Sequence, residues 1–331
     1  MSDPVSNLHI PAYALLWTES RATSLLMSDA IRMLKEFVEE RAADVLTTTG
    51  IPRVDILKVT EPTELFPEIY QPLVSLILQG EKRLLIGSEV ISYTAGQTFI
   101  ASVALPVIGE IVHASVKGPY LAVRLTFDRA MIADLLLDDP GPAVSSDTPS
   151  FCVSHASDRL IDAWLRMLRL MEEPDEIAVM APLLEREILF RLLRGPQGAV
   201  LRQVASIDDR FAQIRNALVR LRKDFATTFH VDDLASTSNM SPSAFQRRFK
   251  TSTGLSPIQY QKRIRLYEAR GMLFARPGDV AAVALAVGYE SLSQFTREYA
   301  RMFGSPPARD TRNLRMISTV GPPGYGELME G

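Results

Sequence analysis

The stretch FQRRFKTSTGLSP, residues 245–257, returns fifty positions later as FTREYARMFGSPP, residues 295–307. In both, an aromatic residue opens the stretch, with an arginine two positions on and a second aromatic at the fourth. A glycine then stands at the ninth position and a proline at the twelfth. Aromatics at i and i+4 share one face of a helix, so Phe245/Phe249 and Phe295/Tyr299 face inward and the residues between lie off that face. Upstream, VDDLASTSNMSPSA and DVAAVALAVGYESLSQ match as well. Asp232 or Asp233, and Asp279, suit a helix N-cap. Ala235 and Ala284 are small enough for close helix contact. Asn239 and Gly288 tolerate positive φ where the chain turns, and Met240 and Tyr289 follow as plugs. Each unit therefore reads as a helix-turn-helix.

Between the units, SPIQYQKRIRLYEARGMLFA predicts a helix capped by Ser256, with Pro257 at its first position. Some 19 residues at about 1.5 Å each span roughly 28 Å, against about 34 Å between successive major grooves on one face of DNA. One chain carrying the unit twice is thus expected to read two consecutive grooves. Charge agrees. Residues 210–315 hold 18 Lys/Arg against 8 Asp/Glu, whereas residues 1–209 hold 18 against 29, within an overall net charge of −3. A polyanion partner is expected for the basic segment alone.

The remainder reads differently. From residue 28 to about residue 50, Ile31, Leu34, Val38, Ala42 and Val45 keep helical spacing, with Gly50 and Pro52 as the stop. Residues 53–128 break into about seven short apolar and β-branched runs with turn residues between them, which predicts an antiparallel barrel or sandwich. DRAMIADLLLDD is a short helix, followed by the loop DDPGPAVSSDTPS. Two apolar stripes come next. Leu160, Ile161, Trp164, Leu165, Leu168 and Met171 form one; Leu184, Ile188, Leu189, Leu192 and Leu193, starting after Pro182, form the other. Residues 160–171 and 183–193 are expected to make a homodimer.

Residues 210–312 resemble the DNA-binding domain of the AraC/XylS family of bacterial transcription regulators, most closely in VGYESLSQFTREYARMFGSPP. Tyr299 and Ala300 stand where Phe and Lys are usual in that family, and Asn239 where Gly often sits. Residues 45–200 resemble its N-terminal regulatory domain through EPTELFPEIYQP, QGEKRLLIG, ASVALPVIGEI and LEREILFRLLRGPQG. The resemblance implies an α+β multidomain chain, in which a cupin-like antiparallel barrel with flanking helices precedes an all-α domain of two helix-turn-helix units. The boundaries expected are an arm at 1–26, a regulatory and dimerisation domain at 27–195, a connector at 196–209, the DNA-binding domain at 210–315 and a tail at 316–331.

By position in the family's motif, Ser243, Gln246 and Arg247 of the first unit and Leu292, Ser293, Gln294, Thr296 and Arg297 of the second would face bases. Arg forks onto guanine, Gln onto adenine, and Leu or Thr meets a thymine methyl. Arg248, Lys250, Lys262 and Arg263 are the phosphate candidates. Tyr93, Glu110, His113 and Arg124 are the polar barrel positions that can line an effector pocket. If the apolar face of YLAVRLTF fills the barrel, however, Arg124 lies outside it. Double-stranded DNA, RNA polymerase, a small-molecule effector and a second copy of the chain are the partners implied. Neither a cofactor nor a metal is expected.

An enzyme is the remote alternative. Of the 4 histidines only His113 lies in the strand region, and no GxSxG, P-loop or GxGxxG pattern occurs. An effector-independent architectural DNA binder is the nearer one. The lone Cys152 rules out an intramolecular disulfide, no apolar run is long enough to span a bilayer, and no leader pattern opens the chain. A cytoplasmic location is the expectation.

Overall fold

The computed structural model describes residues 29–317, apart from 143, 146–147, 206–208 and 276–278. The arm expected at 1–26 and most of the tail expected at 316–331 lie outside the described residues. Helix α1 (Asp29–Arg41) leads into ten strands: β1 (Leu46–Thr48), β2 (Val54–Val59), β3 (Phe66–Tyr70), β4 (Leu73–Gln79), β5 (Glu81–Ile86), β6 (Glu89–Thr94), β7 (Gln97–Ala101), β8 (Leu105–His113), β9 (Tyr120–Thr126) and β10 (Phe151–His155). Helix α2 (Arg129–Asp138) separates the last two. They form a six-stranded sheet in the order β1-β2-β9-β4-β7-β10 and a four-stranded sheet in the order β3-β8-β5-β6, and every pairing is antiparallel.

The six-stranded sheet is covered on both faces. Val74, Leu76, Ile100, Leu121, Val123 and Leu125 share a core with residues of α1, of α3 (Asp158–Arg169) and of α4 (Ile177–Arg194). The alternate residues Leu73, Ile77, Phe99, Tyr120 and Ala122 pack with Leu84, Ile86, Val107 and Ile111 of the four-stranded sheet. Strands buried on both sides read as continuous apolar runs, as LVSLIL does. EKRLLI, which has solvent on one side, alternates instead.

Several sequence expectations change here. Helix α1 ends at Arg41, and LTT after it becomes edge strand β1. FCVSH, unassigned by periodicity, pairs with β7 as β10. Pro182 lies inside α4 rather than at its start. Both apolar stripes are spent within the domain: Trp164, Leu168, Ile188 and Leu189 are all fully buried in the core beneath the sheet. These buried side chains are therefore not free to form the dimer surface expected of them, although Leu183 on the second helix is exposed. The helix α5 (Gly198–Ala205) occupies much of the expected connector. It is buried against the barrel, with Ser102 Oγ donating to Gln203 Oε1 at 2.7 Å.

The helical half comprises α6 (Asp209–Lys223), α7 (Val231–Thr237), α8 (Pro242–Thr253), α9 (Pro257–Ala275), α10 (Val280–Ala286), α11 (Leu292–Phe303) and α12 (Pro307–Ile317). The apolar cluster of the barrel interior continues into it through Ile214, Leu218, Phe245, Phe249 and Tyr260. The second unit instead has a small core of its own around Phe295 and Tyr299.

Candidate nucleic-acid interface

The two units are built by the same local chemistry. Ser241 and Ser291 cap α8 and α11, their hydroxyls accepting from the amides of Ala244 and Gln294. The amides of Met240 and Tyr289 close the turns onto Ala235 O and Ala284 O at 3.0 and 2.9 Å. Asn239 and Gly288 adopt the positive φ expected of them, 49° and 86°. A Cβ on Gly288 would collide with the Ala226 carbonyl, so only glycine fits that turn. Gly254 and Gly304 end α8 and α11 in left-handed geometry. Phe245, Phe249, Phe295 and Tyr299 are all fully buried. One expectation fails: α7 begins at Val231 after His230, and the two aspartates lie in its first turn, where they complement the helix dipole rather than cap it.

With the aromatics inward, Ser243, Gln246 and Arg247 on α8 and Leu292, Ser293 and Arg297 on α11 are exposed, while Thr296 is half-buried. Lys250 is exposed and Arg248 half-buried. Three other assignments meet competition inside the chain. Gln294 Nε2 donates to Glu298 Oε1 at 3.1 Å. Lys262 Nζ pairs with the same oxygen at 2.8 Å, and Arg263 Nη1 donates to Pro106 O of the barrel at 3.3 Å. A phosphate would therefore compete with Glu298 for Lys262 and with the Pro106 carbonyl for Arg263. Arg301 in the last turn of α11 and Arg309 on α12, which sequence reasoning passed over, are exposed. Their membership of the basic segment was the available signal.

Arg265 does different work. Its guanidinium donates to Phe225 O, Gly288 O and Ala226 O at 2.7, 2.8 and 3.0 Å, which ties the linker helix α9 to the turn of the second unit.

The linker helix also rests on the barrel. Tyr267 Oη lies 2.8 Å from Glu68 O and 2.7 Å from Val107 O, which share its one proton, and Tyr260 Oη donates to Ala104 O at 3.2 Å. These carbonyls belong to, or adjoin, β3 and β8, whose other face lines the barrel interior.

That interior is polar at its centre. Arg124 faces it, because the apolar face of β9 is the one that packs on the helices. This reverses the geometry on which an outward Arg124 depended. Arg124 pairs with Asp55 at 2.8 Å, and Lys82, buried to 3% exposure, pairs with Glu68 at 3.1 Å. Tyr93 is also fully buried there, its hydroxyl near those of Ser75, Tyr70 and Tyr120 but in hydrogen-bonding geometry with none. Burial raises the pKa of all three phenols, so they remain protonated donors. Glu110 and His113 are elsewhere: Glu110 pairs with Arg83 on the outer face, and His113, 72% exposed, with Glu81. Asp55, Glu68, Lys82 and the other two tyrosines were legible only as alternating positions of strands whose inner face was not known. Among the described residues no three His, Cys, Asp or Glu side chains gather in a metal-binding group, and no helix is long and apolar enough to cross a membrane.

Comparison with known proteins bears on both halves. Residues 50–200 match the model of the AraC-type transcriptional regulator N-terminus, and residues 234–313 match a helix-turn-helix domain. The transcriptional activator RhaS of Escherichia coli is 28% identical over 151 residues, 45% of this chain and 53% of its own length. The transcriptional regulator MtrA of Neisseria gonorrhoeae is 33% identical over 81 residues, 24% of this chain and 27% of its own. The chain thus spans between about a quarter and a half of the length of these relatives. Among solved structures, ToxT of Vibrio cholerae covers 78% of this chain and 96% of its own, with a TM-score of 0.51 at 10% identity. That likeness is one of fold. The two family matches fall on separate halves of the molecule, in the order and at the places where the barrel and the doubled reading unit stand, and the chain belongs to the AraC-type family of DNA-binding transcription regulators.

Proposed function

We propose that the protein reads two consecutive major grooves with α8 and α11 and that occupancy of its barrel by a small molecule adjusts how firmly it does so. The observation that carries the reading is the repeated presentation, by two units of matching geometry, of an exposed arginine beside buried aromatics, Arg247 on α8 and Arg297 on α11. Gln246 and Arg247 are the base readers of the first unit, and Leu292, Ser293 and Arg297 those of the second. Lys250, with Arg248, Arg301 and Arg309, meets phosphates.

The test is selection from a randomised duplex pool by the full chain. Gln246→Ala and Arg297→Ala are each expected to blur a different half of the enriched motif. A lost bidentate base contact costs about 1–3 kcal/mol, roughly a 5- to 150-fold loss of preference. Lys250→Ala should weaken every sequence alike and lower the salt dependence by about one counterion. Uniform weakening by Gln246→Ala and Arg297→Ala would overturn the base-reading assignment.

The effector part rests on the charged, hydroxyl-rich interior and on the route from it to α9. Glu68 turns its carboxylate to Lys82 within the barrel while its carbonyl accepts from Tyr267 of the linker helix. A ligand acts only through differential affinity for two arrangements, and a strand holding both contacts is where the two can differ. One ToxT structure is bound to (E)-4-(8-methylnaphthalen-1-yl)but-3-enoic acid. A panel of small carboxylic acids and neutral polyols, screened by thermal shift on the full chain, is expected to contain a stabiliser whose effect grows with the logarithm of its concentration. The same compound should change affinity for the enriched duplex. A panel without effect on either quantity favours the architectural reading. RNA polymerase and a second copy of the chain complete the proposed partners. The outer face of α4, with Val179 and Leu183 exposed, is where a second copy would sit.

A further inference from the structure

The second reading unit carries a polar cluster that its twin lacks. Where α11 and its turn have Tyr289, Gln294 and Glu298, the first unit has Met240, Ala244 and Arg248 at matching positions. Glu298 is buried to 8% exposure, and its carboxylate gathers donors from three elements. Lys262 Nζ of the linker helix lies 2.8 Å from Oε1 and Gln294 Nε2, one turn back on α11, 3.1 Å from the same oxygen. Tyr289 Oη, in the turn, donates to Oε2 at 2.9 Å. Burial by itself would raise the pKa of this carboxyl, but the Lys262 pair and the two hydrogen bonds outweigh it and hold the pKa below the usual carboxylate value. The group is therefore an anion with its acceptor sites engaged, and charge-assisted bonds of this kind are strong and directional.

Resting on the reading of α11 as a base-reading helix, we infer that Glu298 is a positioning residue for sequence recognition by the second unit. It sets the rotation of α11 against α9 and the turn, and it holds Gln294 away from the bases. Successive residues on a helix are about 100° apart, so the pinning of Glu298 fixes the direction in which its neighbour Arg297 points. Gln294 is then occupied away from the bases, and Leu292, Ser293 and Arg297 carry the readout. The first unit has no such pin. Its α8 is held instead by the apolar cluster it shares with the barrel interior.

Selection from a randomised duplex pool by the full chain tests this. Wild type is expected to enrich a two-part motif. Glu298→Gln and Lys262→Met should each lower base preference in the α11 part by about fivefold or more, with the α8 part unchanged. Lys262 is 41% exposed, so its replacement relaxes the pin with little threat to folding. Gln294→Ala should keep its preference at every position. An unchanged motif in both Glu298→Gln and Lys262→Met, equal blurring of both parts, or loss of preference at one position in Gln294→Ala would each overturn the inference. Absence of any motif from wild type would overturn the base-reading proposal with it, so the two failures are distinguishable.

Discussion

Phe295→Ala is expected to melt the second reading unit while leaving the barrel and the first unit folded. Phe295 is fully buried, with its ring centroid 5.2 Å from that of Tyr289 and 5.5 Å from that of Tyr299. Truncating a buried phenylalanine costs about 3–5 kcal/mol through lost transfer energy and the cavity left behind. The core it belongs to is small and includes Leu266, Ala284, Val287 and Tyr299, so little surrounds it that can absorb the loss. Hydrogen exchange should show protection lost across α10 and α11 and retained in the barrel strands. The α11 half of a DNA footprint should disappear. Exchange that rises equally throughout the chain would mean that the second unit is not an independent core. Arg297→Ala is the natural control, since it should remove readout without loss of protection.

Arg124→Met is expected to lower the melting temperature of the barrel by about 6–12 °C. The guanidinium donates to Asp55 Oδ2 through Nε at 3.1 Å and Nη2 at 2.8 Å. Removing one partner of a buried pair strands the other charge, at a cost of about 3–5 kcal/mol. The Arg124 and Asp55 side chains are 25% and 20% exposed, which places the loss at about 3 kcal/mol, and each kcal/mol moves the midpoint of a domain of this size by about 2–4 °C. Adding Asp55→Leu should restore most of the stability, because two apolar groups in place of a pair leave no charge unpaired. A single mutant as stable as wild type would show that water enters the interior freely. A double mutant no better than the single would show that Asp55 has another partner. DNA selection by the double mutant should be unchanged in motif, since neither residue belongs to the reading helices.

The reading units were legible because their determinants are local. Capping serines, a turn residue able to take positive φ, and aromatics four apart act within about twenty residues of one another, and the repeat at fifty positions removes the chance of coincidence. Helix α9 was legible for the same reason, since Ser256 and Pro257 mark its start. The barrel was legible as a class but not in its orientation. Alternation along YLAVRLTF divides the residues into two faces without saying which looks inward. The answer depends on the helices, which cover the more apolar face and so leave Arg124 and Tyr120 inside. FCVSH became a strand because β7 offered it an edge, which its own five residues do not reveal. Lys262 and Glu298 are 36 positions apart in the chain, and Arg263 reaches a barrel carbonyl 157 positions away. No helical period encodes such pairings. The sequence by itself determined that two helix-turn-helix units exist and which aromatics bury their second helices. Only the tertiary structure decided which of their polar neighbours are committed to partners within the chain, because a charge finds its partner by proximity in space.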